Sequence, residues 1–145
     1  MLAQTDGNEY LWGLGIAFWL IWVGVLVVYL ASLWVVFTKA GKPGWAAIVP
    51  FYNLYVVLTI VGRPGWWLIW YFIPIANVIV HIIVLVDLSR SFGHDVGFAI
   101  GLFLLPIVFF PVLAWGASTY RGPSAPGASA PAPPPPPPAP PPSYA

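Results

Sequence analysis

Charged side chains lie only before, between and after four long apolar segments, and this spacing limits the chain to folds that a lipid bilayer can accommodate. The uncharged segments cover residues 11–37, 46–61, 66–86 and 96–118. Only 6% of the 145 residues are charged, whereas a soluble domain carries about a quarter. Because the chain is 60% hydrophobic, it lacks the polar groups that solvate a surface. The sequence therefore predicts an all-α integral membrane protein whose first partner is the bilayer.

The remaining composition narrows the class of protein further. Nine Trp and seven Tyr fit the aromatic belts found where lipid meets water. The chain contains no cysteine, which excludes disulfides, thiolate metal sites and cysteine nucleophiles. A net charge of +1 offers no basic footprint for nucleic acid. We expect no cofactor, no metal and no nucleic-acid partner.

The lengths of the apolar segments predict how many of them cross. Segments 11–37, 66–86 and 96–118 hold 27, 21 and 23 residues, and a spanning helix needs about 20. Segment 46–61 has only 16 residues. It fits a short crossing helix, a re-entrant hairpin or an interfacial helix.

The positions of the five cations favour the re-entrant alternative. If segment 46–61 enters and returns, Lys39, Lys42, Arg63 and Arg121 share one side and Arg90 lies on the other with Asp87 and Asp95. Four cations against one satisfies the positive-inside rule better than the three against two of four crossings. The prediction is three full spans plus one re-entrant segment, with the chain after residue 121 inside.

One motif occurs twice and is expected to lie at a membrane surface. Each copy reads Gly-(Lys/Arg)-Pro-Gly-Trp, followed by an apolar stretch that contains Pro-x-x-Asn. A turn with one cation and one Trp suits the lipid–water boundary, and two such similar turns favour one shared environment. The predicted interfacial residues are Lys42, Pro43, Gly44, Trp45, Arg63, Pro64, Gly65 and Trp66.

Three of the polar side chains inside the apolar segments are the candidate polar intramembrane residues. Asn77 and His81 are four apart and share a helix face, while Asn53 belongs to the first Pro-x-x-Asn element. Proline frees a carbonyl four residues earlier, so each Asn can donate to such a carbonyl, or the two can bond to each other. His81 can relay protons or bind a ligand, or it can form an interhelical hydrogen bond.

The polar residues between 87 and 95 form the densest polar cluster of the chain, and a solvated loop is its expected structure. Neither these residues nor others assemble a catalytic triad, a Ser-Lys dyad or a phosphate loop with suitable spacing. We therefore predict no enzymatic activity and no catalytic, cofactor-binding or metal site.

The composition changes again at Gly122. Twelve of the eighteen prolines follow it, together with Ala, Ser and Gly, and such a segment cannot form a core. The predicted organisation is a short exposed N-terminal segment at 1–10, a multi-pass helical membrane module at 11–121 and a disordered proline-rich tail at 122–145.

With these motifs in order, the chain resembles a bacterial family of small multi-pass membrane proteins of unknown function. The resemblance covers about residues 33–120 and lies in five stretches: KAGKPGW at 39–45, IVPFYNLY at 48–55, GRPGWW at 62–67, IPIAN at 73–77 and DLSRSFG at 87–93. A similar segment precedes the catalytic domain of some signal peptidase I proteins. The resemblance implies a module of the cytoplasmic membrane with a role near export, and it does not imply peptidase activity.

Together these observations predict a non-enzymatic scaffold or regulatory module of the bacterial cell envelope, located in the cell membrane with its tail in the cytoplasm. Its further partners would be other membrane or envelope proteins. The alternative is a small transporter or lipid-binding protein that uses Asn53, Asn77 and His81.

Overall fold

The computed structural model describes residues 6–128, and within them the chain is helical with no β-strand. Five α-helices occur in this range: α1 (Asp6–Lys39), α2 (Pro50–Val61), α3 (Pro74–Ser91), α4 (Val96–Leu104) and α5 (Pro106–Trp115). Two 3₁₀ helices, Gly44–Ala47 and Gly65–Phe72, precede α2 and α3. The prediction of an all-α chain is confirmed for the described residues.

Helix α1 is a long apolar rod that extends beyond the rest of the molecule. Its 34 residues correspond to roughly 50 Å at the usual helical rise. Side chains in its first half are exposed, among them Trp12 at 75% and Trp19 at 70%. Only the second half packs against other helices, mainly α5.

The chain after α1 folds into three hairpin units within residues 44–115, and each unit returns to the end of the molecule where α1 stops at Lys39. In the first unit, the chain runs back along α1 until Ile48 shares a groove with Leu30 and Trp34. Helix α2 then returns to Val61. Segment 46–61 therefore reverses direction near Val49 and Pro50, and its predicted re-entry into a membrane stays a prediction.

The second and third units follow the same course. The second 3₁₀ helix descends beside α2 until Phe72 stacks on Phe51, with ring centroids 6.1 Å apart, and α3 then climbs back. Helix α4 descends beside α3, and α5 returns along α1. Pro106 at the start of α5 lies near Trp22, and the Leu113 carbonyl near its end accepts a hydrogen bond from Lys39.

Proline starts each returning helix. Pro50, Pro74 and Pro106 occupy the first turn of α2, α3 and α5, where the missing N–H has no intrahelical partner to lose. Proline also pushes the residue before it out of the helical region, and Val49 and Ile73 are indeed extended. These prolines therefore separate a descending segment from an ascending helix.

Glycine ends the helices at the Lys39 end in a repeated way. Gly41, Gly62 and Gly93 have φ values of 72°, 84° and 80°, a left-handed conformation that favours glycine. The residue after each glycine donates its N–H to a carbonyl five residues earlier, as in Lys42 to Phe37 at 2.8 Å. This is the hydrogen bond of a Schellman cap.

The prediction of three full spans is wrong. Only α1 and α3 are long and apolar enough to cross a membrane among the described residues. Segment 96–118 is divided at Leu105 into helices of 9 and 10 residues, each roughly 15 Å long against a hydrocarbon core of about 30 Å. Segment 66–86 is likewise divided, because its first part is a 3₁₀ helix and α3 starts at Pro74.

The boundaries of the predicted domains can be compared with the described range only in part. Helix α1 begins at Asp6, inside the N-terminal segment predicted at 1–10. Residues 122–128, the start of the predicted tail, pack on the helices: the Ala125 N–H donates to the Val61 carbonyl at 2.9 Å. The rest of the predicted tail, 129–145, lies outside the described residues, as do residues 1–5.

Candidate functional site

Many of the polar side chains within residues 6–128 gather at the Lys39 end of the molecule, which we call the polar cap. The cap is built from the ends of α1, α2 and α3, the turn between α3 and α4, and residues 116–128, which we call the strap. Its principal residues are Lys39, Arg63, Asp87, His94, Ser118, Tyr120, Arg121 and Ser124.

An ion pair at the centre of the cap joins the second copy of the duplicated motif to α3. Both Nε and Nη2 of Arg63 donate to Oδ2 of Asp87, at 2.7 Å and 2.6 Å. The Asp87 side chain is 4% exposed and that of Arg63 is 16% exposed. The guanidinium carbon also lies 4.4 Å from the ring centroid of Trp67, within the range of a cation–π contact.

This ion pair overturns the charge distribution predicted from the sequence. Arg63 was expected on one side of the bilayer, whereas Asp87, Arg90 and Asp95 were expected on the other. Two side chains in direct contact share one end of the molecule. The error came from treating segments 66–86 and 96–118 as uninterrupted spans, which moved the turn between them to the wrong side.

Hydrogen bonds from Lys39 connect the strap to the end of α1. Its ammonium group donates to the carbonyls of Leu113, Gly116 and Ser118 at 2.9, 3.2 and 2.9 Å. These carbonyls lie at and beyond the C-terminus of α5, where backbone acceptors have no partner within the helix and the helix dipole is negative. One cation therefore satisfies three acceptors.

Two further side chains seal the strap onto α2 and α3. The Tyr120 hydroxyl donates to the Ile60 carbonyl at 2.6 Å, and burial raises the pKa of this hydroxyl above its ordinary value, which keeps it a donor. Ser124 Oγ donates to the Asp87 carbonyl at 2.5 Å. The strap thus covers the Arg63–Asp87 pair on the side that would otherwise face water.

A cavity of about 280 Å³ opens beside the strap. Apolar and polar groups both line it, and we call it the polar cavity after its polar side chains. His94 Nε2 and Ser118 Oγ are 2.6 Å apart on its wall, and Arg121 also lines it. The His94 ring stacks on Phe98 with centroids 4.1 Å apart, and this contact fixes its orientation. From the sequence, His94 was expected in a solvated loop. Ser118 was not predicted to be its partner, because the two residues are 24 positions apart in the chain.

Every cation of the chain belongs to this end of the molecule. Lys39, Lys42, Arg63, Arg90 and Arg121 follow or end α1, α2, α3 and α5, while the carboxylates here are Asp87 and Asp95. Five positive and two negative charges leave +3 at the cap. Asp6 and Glu9 at the start of α1 contribute −2, which together give the chain's net +1. The molecule is therefore electrically polarised along α1.

The two predicted intramembrane asparagines do not bond to each other. The Asn53 side chain donates to the Ala47 carbonyl at 2.9 Å, and Asn77 donates to the Tyr71 carbonyl at 2.7 Å. Each Asn closes the turn of its own hairpin unit across six residues and does not bond to the other. His81 packs between Tyr71 and Phe103, with ring centroids 6.3 and 6.2 Å away.

The duplicated turns adopt matching backbone conformations. Pro43 and Pro64 are extended, with φ and ψ of −65° and 125° and of −66° and 145°, and each precedes a 3₁₀ helix that starts at the next glycine. Trp45 and Trp66 are exposed, and Trp45 stacks on Tyr52 with centroids 5.3 Å apart. Gly44 lies against the Trp34 ring and leaves no room for a side chain, while Gly65 lies against Tyr55.

Within residues 6–128, no group of three His, Asp or Glu side chains is placed to hold a metal ion. The fold and the cap define an all-α, largely apolar protein with two helices able to cross a membrane. Residues 45–123 match a family of unknown function, DUF5684. That range is more than half of the chain, and the protein belongs to this family. No curated protein and no solved structure matches it.

Proposed function

We propose that the protein is a non-enzymatic membrane scaffold in which α1 alone connects the two sides of the bilayer and the three hairpin units enter and return from one side. The observation that carries this proposal is the position of the turns. The end of α1, the turns after α2 and α3 and the strap all meet in the polar cap. The polar backbone of the turns would therefore face water, while the apolar helices between them face lipid.

The charges support a direction for this insertion. With the cap on the cytoplasmic side, all five cations lie inside and Asp6 and Glu9 lie outside. A five-to-none distribution satisfies the positive-inside rule more fully than the four-to-one distribution expected from the sequence. The chain after Ala128 would then also start in the cytoplasm, and the host membrane would be the bacterial cell membrane.

The free half of α1 supports a role in assembly. Residues 7–21 carry exposed apolar side chains around the whole helix, and in a bilayer this rod is open to lipid or to a helix of another membrane protein. A scaffold or regulator of envelope proteins, including the export machinery, uses such a helix without any catalytic group. The alternative of a transporter has less support, because Asn53 and Asn77 satisfy backbone carbonyls of their own turns.

The test places a photo-crosslinking amino acid at Trp19 in native membranes, with a matched control at Ile100, which is exposed on α4 of the third hairpin unit. A scaffold predicts a discrete protein adduct from position 19, identified by mass spectrometry and reduced by Ala substitutions at neighbouring exposed positions of α1. Adducts with lipid alone from both positions would contradict the scaffold role.

A further inference from the structure

We infer that the polar cavity of the cap is a binding site for a phosphate group, carried either by a lipid headgroup or by a free phosphate ion. The cavity lies between the turn after α3 and the strap, and its volume of about 280 Å³ is just below the range of about 300–1,000 Å³ for drug-sized ligands. It differs from the groove along α1, which Phe18, Trp22 and Leu26 line with apolar surface.

Arg121 supplies the charge of the proposed site. Its backbone N–H donates to the Ser91 carbonyl at 2.7 Å, which anchors the residue. Its guanidinium lies against Gly93, where a Cβ would come within 2.8 Å of Nη2. Among residues 6–128, Arg121 forms no salt bridge with a carboxylate. An arginine held in place without a carboxylate partner presents its fork of donors to a phosphate oxygen.

The His94–Ser118 pair supplies a second group of donors. With Nε2 and Oγ 2.6 Å apart, one proton lies between the two atoms, and the pair still has an N–H or O–H to offer an oxygen acceptor. The Thr119 hydroxyl is a further donor on the lining of the cavity. Donors on both sides of one small cavity match the several oxygens of a phosphate.

The negative groups around the cavity are already engaged. The carboxylate of Asp95 accepts the Phe98 N–H at 3.1 Å as the N-cap of α4, and Asp87 pairs with Arg63. The carbonyls beyond α5 accept hydrogen bonds from Lys39. An entering anion therefore meets unengaged donors, and the net charge of +3 at this end favours its approach.

The test uses the full chain in micelles of a maltoside detergent, which carries no phosphate group, and measures dissociation constants by calorimetry for two probes. The first probe is inorganic phosphate. The second is dihexanoyl-phosphatidylglycerol, with dihexanoylglycerol as the phosphate-free control. Binding of phosphatidylglycerol much tighter than that of inorganic phosphate identifies a lipid headgroup as the ligand, and equal binding identifies free phosphate. Both results support the site.

Matched variants separate the cavity from general surface charge. Arg121→Gln is expected to weaken binding about tenfold or more, as the loss of a charge-assisted hydrogen bond does. Arg90→Gln removes the same charge at the same end but outside the cavity, and is expected to change binding less than twofold. The difference should persist at high salt, where surface attraction is screened.

Ser118→Ala removes only a hydroxyl and leaves the carbonyl that Lys39 holds, so it tests the site even if Arg121→Gln fails to fold. It is expected to weaken binding several-fold. The inference is overturned if neither probe binds better than dihexanoylglycerol, if Arg121→Gln and Arg90→Gln weaken binding equally, or if Ser118→Ala has no effect. These results do not depend on crosslinking from α1, so failure here is distinguishable from failure of the scaffold role.

Discussion

The ion pair between Arg63 and Asp87 makes the most detailed prediction, because it joins two turns that the sequence placed on opposite sides. The perturbations are Arg63→Gln, Asp87→Asn and the double variant. Arg63→Gln leaves a carboxylate that is 4% exposed without its cation, and losing one partner of a buried pair costs about 3–5 kcal/mol. We expect a loss near the lower end of this range, since Arg63 keeps 16% exposure to solvent.

The double variant is expected to be more stable than the sum of the two single losses implies. Two neutral amides remove the buried unpaired charge, so the coupling energy should be about 2–3 kcal/mol. The contact between Arg63 and Trp67 contributes about 0.5–2 kcal/mol to the stability. The double variant lacks this contribution, as Arg63→Gln does. Asp87→Asn alone should cost less than Arg63→Gln, because the remaining guanidinium still stacks on Trp67.

The free energy of unfolding can be measured by titrating purified protein in mild detergent micelles with a denaturing detergent while following tryptophan fluorescence. Arg90→Gln serves as the control, since this exposed arginine forms no ion pair within the described residues. The contact between Arg63 and Asp87 is refuted if the losses of stability in Arg63→Gln and Asp87→Asn add up in the double variant. It is also refuted if neither single variant differs in stability from Arg90→Gln.

Four further substitutions test other parts of the fold by the same measurement. Lys39→Met leaves three strap carbonyls without their donor and should cost about 2–3 kcal/mol; an unchanged stability would contradict the role of Lys39. Gly62→Ala forces a left-handed conformation and a contact 2.7 Å from Pro123, so it should cost about 2 kcal/mol or more, whereas Gly13→Ala, with open space around it, should be neutral. Asn53→Leu and Asn77→Leu each remove one turn-closing hydrogen bond and should each cost about 1–2 kcal/mol; a variant that keeps its stability but loses a transport activity would favour the transporter alternative.

Local signals in the sequence were sufficient to predict the apolar segments and the helical class. They also contained two helix starts that the prediction did not recognise. Pro74 and Pro106 follow apolar residues just as Pro50 does, and proline at the first turn of a helix together with a non-helical residue before it is a recognised starting signal. Reading these prolines as helix starts, and not as interruptions of a span, would have divided segments 66–86 and 96–118 correctly.

The polar cap could not be predicted in the same way. Lys39 and Ser118 are 79 residues apart, and Tyr120 and Ile60 are 60 apart, and no local pattern specifies such pairs. Applying the positive-inside rule requires an assumed number of crossings. Because the assumed number was wrong, Arg90 and Asp87 were predicted on the side of the membrane opposite to Arg63. The repeated Gly-Lys, Gly-Arg and Gly-His pairs at 41–42, 62–63 and 93–94 were the remaining clue that three turns share one environment.

The central proposal, that the turns of the polar cap all lie on one side of the bilayer and α1 alone joins the two sides, has a direct test. Because the chain has no cysteine, single cysteines can be labelled with a membrane-impermeant maleimide in right-side-out and inverted vesicles. The positions are Asn8, Pro64, Arg90 and Thr119, which are exposed, and Lys42, which is partly exposed. The account predicts that positions 42, 64, 90 and 119 react together from the cytoplasmic side and position 8 from the opposite side. Labelling of position 90 together with position 8, and apart from position 64, would contradict it.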